Sequence, residues 1–177
     1  MGPRDGWAMS IPDIRVGQGF DVHRFEVEPS GSRRLVLGGC VFEGEPALIG
    51  HSDADVLIHA IIDALLGALA LGDIGMHFPD TSDEYRDIDS KILLERSYKM
   101  ILDKGFRIVN LDATLMLERP KMKEYIPEMR SLISRLLQTE RENISIKATT
   151  TEKLGFTGRE EGVAADAIVL LEDMREN

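Results

Sequence analysis

The segment from Val56 to Leu71 constrains this chain more than any other. Read at a helical period it is apolar almost all round, interrupted only by His59 and Asp63. A helix without a polar face has to be buried on all sides. The run is too short to span a bilayer, so it reads as a core helix of Ala54 to Leu71, stopped at Gly72. The rest of the chain must therefore supply a layer to pack against it.

The flanking segments supply strands. Ile14 to Phe25 alternates as a strand, and Arg34 to Gly39 reads as another, joined through the loop Glu28 to Ser32. Ser90 to Lys104 is an amphipathic helix, capped by Asp89 or Ser90, with Gly105 just past its end. Phe106 to Glu118 alternates again as a strand. Pro127, tolerated at a first helical position, opens a helix that runs to Leu137. Asn143 to Thr149 and Val163 to Leu171 complete the strands. This order predicts an α+β fold: a mixed β-sheet with helices packed on one face. The other sheet face then needs a cover. Ile144, Ile146, Val163, Ile168 and Leu170 are the apolar positions expected to find it in symmetry mates, so an oligomer is expected. Residues 1–13 read as an N-terminal extension, a tag remnant or disordered, and 14–177 as a single domain.

Charge narrows the function. The 177-residue chain has a net charge of −10 and no lysine- or arginine-rich stripe, which argues against nucleic acid. No segment is long and apolar enough for a membrane partner, and the start lacks a secretory pattern. An acidic chain that binds phosphates needs metal ions and backbone amides to offset its field. Its single cysteine, Cys40, rules out an intrachain disulfide and a cysteine-rich zinc site. A reducing cytoplasm fits that usage, or a plastid if the source is a plant or alga.

Three of the four histidines fall in two short segments, Asp21-Val22-His23 and His51 to His59. On a strand Asp21 and His23 share a face. On a helix His59 lies one turn from both Asp55 and Asp63. One Asp and two His make a three-ligand zinc set with a fourth position left for a reacting group. A lone histidine within an apolar helix is more often a satisfied core residue than a ligand. Here the flanking carboxylates bring the metal reading level with that one, a carboxylate then holding the imidazole from behind. A second chemical segment runs from Thr149 through Thr150, Thr151 and Glu152 to Phe156 and Arg159. Its hydroxyls and amides suit phosphate oxygens, Glu152 suits a hard divalent ion, and Arg159 suits an anion. A threonine-rich strand end entering a glycine turn would have the same composition.

Taken in order, Arg15 to Arg24, His51-Ser52-Asp53-Ala54-Asp55, Asp73-Ile74-Gly75, Phe78-Pro79-Asp80-Thr81 and Lys147 to Arg159 resemble the 2-C-methyl-D-erythritol 2,4-cyclodiphosphate synthases. The likeness runs from about Ile14 to Leu171. It implies an enzyme of non-mevalonate isoprenoid precursor synthesis. The 2-phosphate of a cytidine diphosphate substrate would attack the β-phosphorus, releasing CMP. It also implies a homotrimer with active sites between subunits. By that resemblance Asp21, His23 and His59 would bind Zn2+, and Glu152 would bind Mg2+ or Mn2+. His51 and Thr150 would support the transition state, with Ser52 in the phosphate site. Asp73, Ile74, Gly75, Phe78 and Asp80 would face the methylerythritol portion. Leu117, Arg119, Pro120, Lys121, Met122, Lys123, Thr149, Thr151, Phe156 and Arg159 would shape the nucleotide and phosphate pocket. Ser82 departs from the family's more frequent aspartate, which bears only on a sugar-side contact. Two other classes share the residue pattern: a zinc hydrolase with water in the open position, and a non-catalytic binding trimer.

Overall fold

The computed structural model describes residues 13–27 and 33–175. The expected extension 1–13, apart from Asp13, and the loop Glu28 to Ser32 lie outside the described residues. Among the described residues six strands and five α-helices form in chain order: β1 Ile14–Arg24, β2 Leu35–Leu37, β3 Cys40–Phe42, α1 Val56–Ala68, α2 Ile74–His77, α3 Ser90–Asp103, β4 Phe106–Met116, α4 Ile126–Leu136, β5 Ile144–Thr149, α5 Gly155–Gly158 and β6 Gly162–Asp173. Four of the strands make one mixed sheet in the order β1-β6-β4-β5. The β1–β6 and β6–β4 pairs are antiparallel and the β4–β5 pair is parallel. Helices α1, α3 and α4 pack on one face, as an α+β layer requires.

The apolar helix is the centre of this layer. In α1 every residue from Val56 to Ile62 is buried, and its N-terminus is capped by Asp55. Two glycines let it come close to β1. A Cβ at Gly19 would lie 2.0 Å from the Ala60 carbonyl oxygen, and one at Gly17 would lie 1.9 Å from that of Ala64. Glycine in the strand meets alanine in the helix, so backbone rests on backbone. This seam sets how near α1 lies to the strand carrying Asp21 and His23.

Two expectations change. Arg34 to Gly39 holds a strand only at Leu35–Leu37, and that strand stands outside the main sheet. It forms a two-stranded hairpin, β2–β3, turning at Gly38 and Gly39, both in the left-handed region (φ 59° and 77°). Consecutive positive-φ residues are what a tight hairpin turn demands. The second correction concerns the sheet's uncovered face. Ile144, Ile146 and Val163 are buried in the core under the helices, whereas Ile168 is 49% exposed on the opposite face. Side chains alternate along a strand, so Val163 and Ile168 cannot share a face. Leu170 lies half-buried on the open face, beside Val16. That face also exposes Phe20 and Val22 of β1.

Candidate active site

The site begins with three ligand atoms. Asp21 and His23, two apart on β1, point to the same side, and His59 comes to them from α1. Asp21 Oδ2, His23 Nε2 and His59 Nδ1 form a triangle with all three sides 3.1 Å. Tetrahedral ligands at zinc-like bond lengths of about 2.0–2.1 Å stand roughly 3.3–3.4 Å apart, close to this spacing. The proton inventory agrees. His23 Nδ1–H donates to the Ile49 carbonyl at 2.8 Å, which leaves Nε2 bare toward the triangle. His59 Nε2 meets the hydroxyls of Ser90 at 2.9 Å and Ser52 at 3.1 Å, which leaves its Nδ1 facing the same point. Two imidazole lone pairs and a carboxylate converge, an arrangement that calls for a cation between them. The residues fit a metal ion.

Without a metal, a proton takes part of that role. Burial works against the charge on Asp21, but hydrogen bonds from His23 and His59 outweigh it and hold the carboxyl far below the usual range. Burial likewise opposes the His23 imidazolium, yet the Asp21 carboxylate raises its pKa above 6.5. The His23 contribution to stability is therefore present below the unfolded value of about 6.5 and lost as pH rises through the raised folded value. The Asp21 contribution is present above about 3.9 and lost only as pH falls through its depressed value. A metal ion binds neutral imidazole, so its stabilisation grows over the pH range where the His23 contribution fades. The gap in melting temperature between zinc-loaded and chelator-treated protein should widen from pH 6 to pH 8. A gap that narrows would rule out these ligands.

One cleft of about 430 Å³ gathers Asp21, His23, His51, Ser52, His59, Ile74, Gly75, Phe78 and Asp80. All nine are among the residues singled out from sequence, and Gly50, Tyr85 and Leu93 join them. Nothing in the spacing marks Tyr85, which stacks edge-on against Phe78 at 5.5 Å between ring centroids. His51 Nε2–H donates to the Ser82 carbonyl at 2.9 Å, so Ser82 contributes through its backbone. Asp73 caps α2 through the Met76 N–H, and Asp63 accepts the Ile74 N–H at 2.7 Å. Asp63 anchors the α2 segment and contributes no ligand. Asp55 also differs from expectation. Its buried carboxylate accepts the N–H groups of Gly38, Gly39 and Ile58, and so clamps the hairpin to the start of α1. The groups behind His59 are serine hydroxyls, and neither Asp55 nor Asp63 takes that place.

A second cleft of about 330 Å³ gathers Leu117, Pro120, Lys121, Met122, Lys123, Thr149 and Thr150. Thr150 Oγ1–H donates to Glu152 Oε1 at 2.9 Å, and Glu152 and Lys153 both adopt the left-handed region. Glu118 holds this turn. Its Oε1 accepts the Thr151 and Lys153 N–H groups at 3.2 Å, and Lys153 Nζ lies 3.0 Å from its other oxygen. Four expected members, Arg119, Thr151, Phe156 and Arg159, are not among its lining residues. Arg119 pairs with Glu160 at 2.6 Å, Arg159 pairs with Glu161, and Phe156 lines a different cavity beside His23. Thr151 Oγ1–H donates to the Leu154 carbonyl.

The two clefts lie toward one end of the sheet but on opposite edges. His23 is on β1, whereas Thr149 ends β5, with β6 and β4 between them. Three inter-strand steps separate the edges by about 14 Å.

The fold and site define a class: an α+β layer whose sheet edge carries a triangle of Asp21, His23 and His59 that could hold a metal ion, with a second cleft at the opposite edge. A family model, the YgbB family, matches residues 14–172. A relative from Bacillus mycoides, 2-C-methyl-D-erythritol 2,4-cyclodiphosphate synthase, is 54% identical over 90% of this chain and 98% of its own length. Among solved structures, IspF of Plasmodium falciparum in a CDP complex superposes with a TM-score of 0.80 at 32% identity, covering 94% of this chain and 100% of that one. The bifunctional IspDF of Campylobacter jejuni gives a TM-score of 0.86 at 41% identity; 92% of this chain is covered but only 43% of that longer one. The chain belongs to the YgbB family, whose curated relatives at this level of identity are 2-C-methyl-D-erythritol 2,4-cyclodiphosphate synthases.

Proposed function

We propose that the protein converts 4-diphosphocytidyl-2-C-methyl-D-erythritol 2-phosphate into 2-C-methyl-D-erythritol 2,4-cyclodiphosphate and CMP, as a phosphorus–oxygen lyase. An oxygen of the 2-phosphate forms a bond to the β-phosphorus. The bond from that phosphorus to the bridging oxygen breaks, and CMP leaves with the electron pair. No water enters. The observation that carries this reading is the Asp21–His23–His59 triangle, set in one cleft with His51, Ser52 and Asp80.

Phosphoryl transfer between two anions needs placement and charge neutralisation more than a proton-transfer base. Asp21, His23 and His59 would hold Zn2+ and Glu152 would hold Mg2+ or Mn2+, ions that supply Lewis acidity and a template for phosphate oxygens. The chain's own groups do the rest. Thr150 orients the Glu152 carboxylate, and Glu118 fixes the turn that carries both. His51, its Nε2–H committed to Ser82, would serve a phosphate oxygen through Nδ1 once that nitrogen also carries a proton. Asp80, Ile74 and Gly75 line the sugar side. The backbone between Leu117 and Lys123 takes the cytidine.

A substrate with a sugar phosphate at one end and a nucleotide at the other has to reach both clefts. In one chain these lie on opposite sheet edges. In a closed head-to-tail ring of three copies the β5 edge of one would meet the β1 edge of the next, and Val16, Phe20, Val22 and Ile168, exposed in one chain, would be covered. The site is thus built between subunits of a homotrimer.

The direct test is incubation with the substrate in 18O-labelled water, followed by phosphorus NMR and mass spectrometry. CMP and a cyclic product free of label are expected; labelled monophosphates would mean hydrolysis. A mixing experiment tests the shared site. Glu152→Ala and His59→Ala homotrimers should each lose turnover while keeping their circular-dichroism spectra. Trimers reassembled from an equal mixture should regain part of it, because some interfaces pair an intact triangle with an intact Glu152. Mixtures no better than their parents would place the whole site in one chain.

A further inference from the structure

Behind the triangle stands a second set of groups that no step above uses. Ser90, the first residue of α3, is fully buried, with its hydroxyl 2.9 Å from His59 Nε2. The same hydroxyl donates to Asp53 Oδ1, and Asp53 Oδ2 accepts the Ser90 N–H at 3.0 Å. An ionised carboxylate only accepts, so the Ser90 proton points to Asp53 and its lone pairs face His59. That fixes the His59 proton on Nε2 and leaves Nδ1 bare for the metal point. We propose that Asp53 and Ser90 are positioning residues that set the tautomer and ring orientation of His59 for metal ligation. The inference rests on the reading of Asp21, His23 and His59 as metal ligands.

The geometry makes Ser90 a stronger anchor than its neighbour. Ser52 Oγ also reaches His59 Nε2, at 3.1 Å, but it accepts the Ala54 N–H at 3.3 Å and has no carboxylate behind it among the described residues. Carboxylate, hydroxyl and imidazole in series polarise one another toward the metal point, raising the donor strength of Nδ1. Asp53 also accepts the Asp55 N–H at 3.2 Å, at the entrance to α1. One carboxylate thus ties the start of α3, the start of α1 and the ligand orientation together. Removing Asp53 disturbs backbone as well, whereas removing the Ser90 hydroxyl leaves the backbone contacts in place.

The test compares wild type, Ser90→Ala, Asp53→Asn and Ser90→Thr as full-length proteins. Zn2+ affinity is read by chelator competition, and ligand geometry by the visible absorption of the Co2+-loaded protein. Ser90→Ala should bind Zn2+ about 10–100-fold more weakly, with an altered Co2+ spectrum. Asp53→Asn should fall between it and wild type, and Ser90→Thr should recover most of the affinity. Ser90→Ala within twofold of wild type and with an unchanged Co2+ spectrum overturns the positioning role alone. A wild-type protein that binds neither ion overturns the metal site, and the positioning role with it.

Discussion

Gly19→Ala should cost on the order of 3 kcal/mol of stability or more, read as a shift in urea midpoint at unchanged slope. The new Cβ would meet the Ala60 carbonyl oxygen at 2.0 Å and the Ala64 nitrogen at 2.6 Å, both backbone atoms of a buried helix. Neither can turn aside as a flexible side chain would, so α1 must lift from β1. The displacement also carries His59 away from Asp21 and His23. Zn2+ binding should therefore fall together with stability. Gly67→Ala supplies the contrast within the same helix. Its Cβ would find nothing nearer than the Gln18 carbonyl oxygen at 3.7 Å. There alanine's better helix propensity should leave the protein neutral or stabler by about 0.5–1 kcal/mol. Equal effects at the two positions would dismiss the seam as the cause.

Asp21→Ala should lower turnover by about a thousandfold or more, with the fold retained. Asp21 Oδ2 is the one ligand atom 3.1 Å from both imidazoles, and it supplies the only anionic ligand of the triangle. Its removal leaves two neutral ligands, and Zn2+ content after dialysis should drop from near one per chain to near zero. Elemental analysis and the rate of CMP release measure the two effects separately. Retained zinc with lost turnover would move Asp21 from metal ligation to substrate contact. Retained turnover would remove the triangle from the mechanism.

The sequence made the convergence of ligands readable because each spacing rule acts within one element. Asp21 and His23 share a strand face at a separation of two, and an imidazole inside an otherwise apolar helix needs a polar partner. Asp55 shows where such rules fail. Helical spacing puts it on the His59 stripe, but a capping residue folds its side chain back over the helix start, here onto Gly38, Gly39 and Ile58. Reading Arg34 to Gly39 as one strand concealed the hairpin that turns at Gly38 and Gly39. Ser90 lies 31 residues from His59 along the chain, and no periodicity connects them. Pairings of that kind are set by how α3 docks, which is a tertiary fact. The cover of the sheet was misjudged by parity: of the five apolar positions named, only Ile168 and Leu170 face away from the helices.

The sheet order has a consequence for how activity depends on concentration. If the triangle sits at the β1 edge and the Thr150–Glu152 turn at the β5 edge, an isolated chain owns two half-sites that never meet. Such a chain would still take up its metal and still bind a nucleotide fragment. Catalysis, in contrast, would vanish on dilution below the assembly threshold and would climb more steeply than linearly as protein is added. Activity would then belong to the encounter of copies, and the polypeptide alone would be an enzyme in parts.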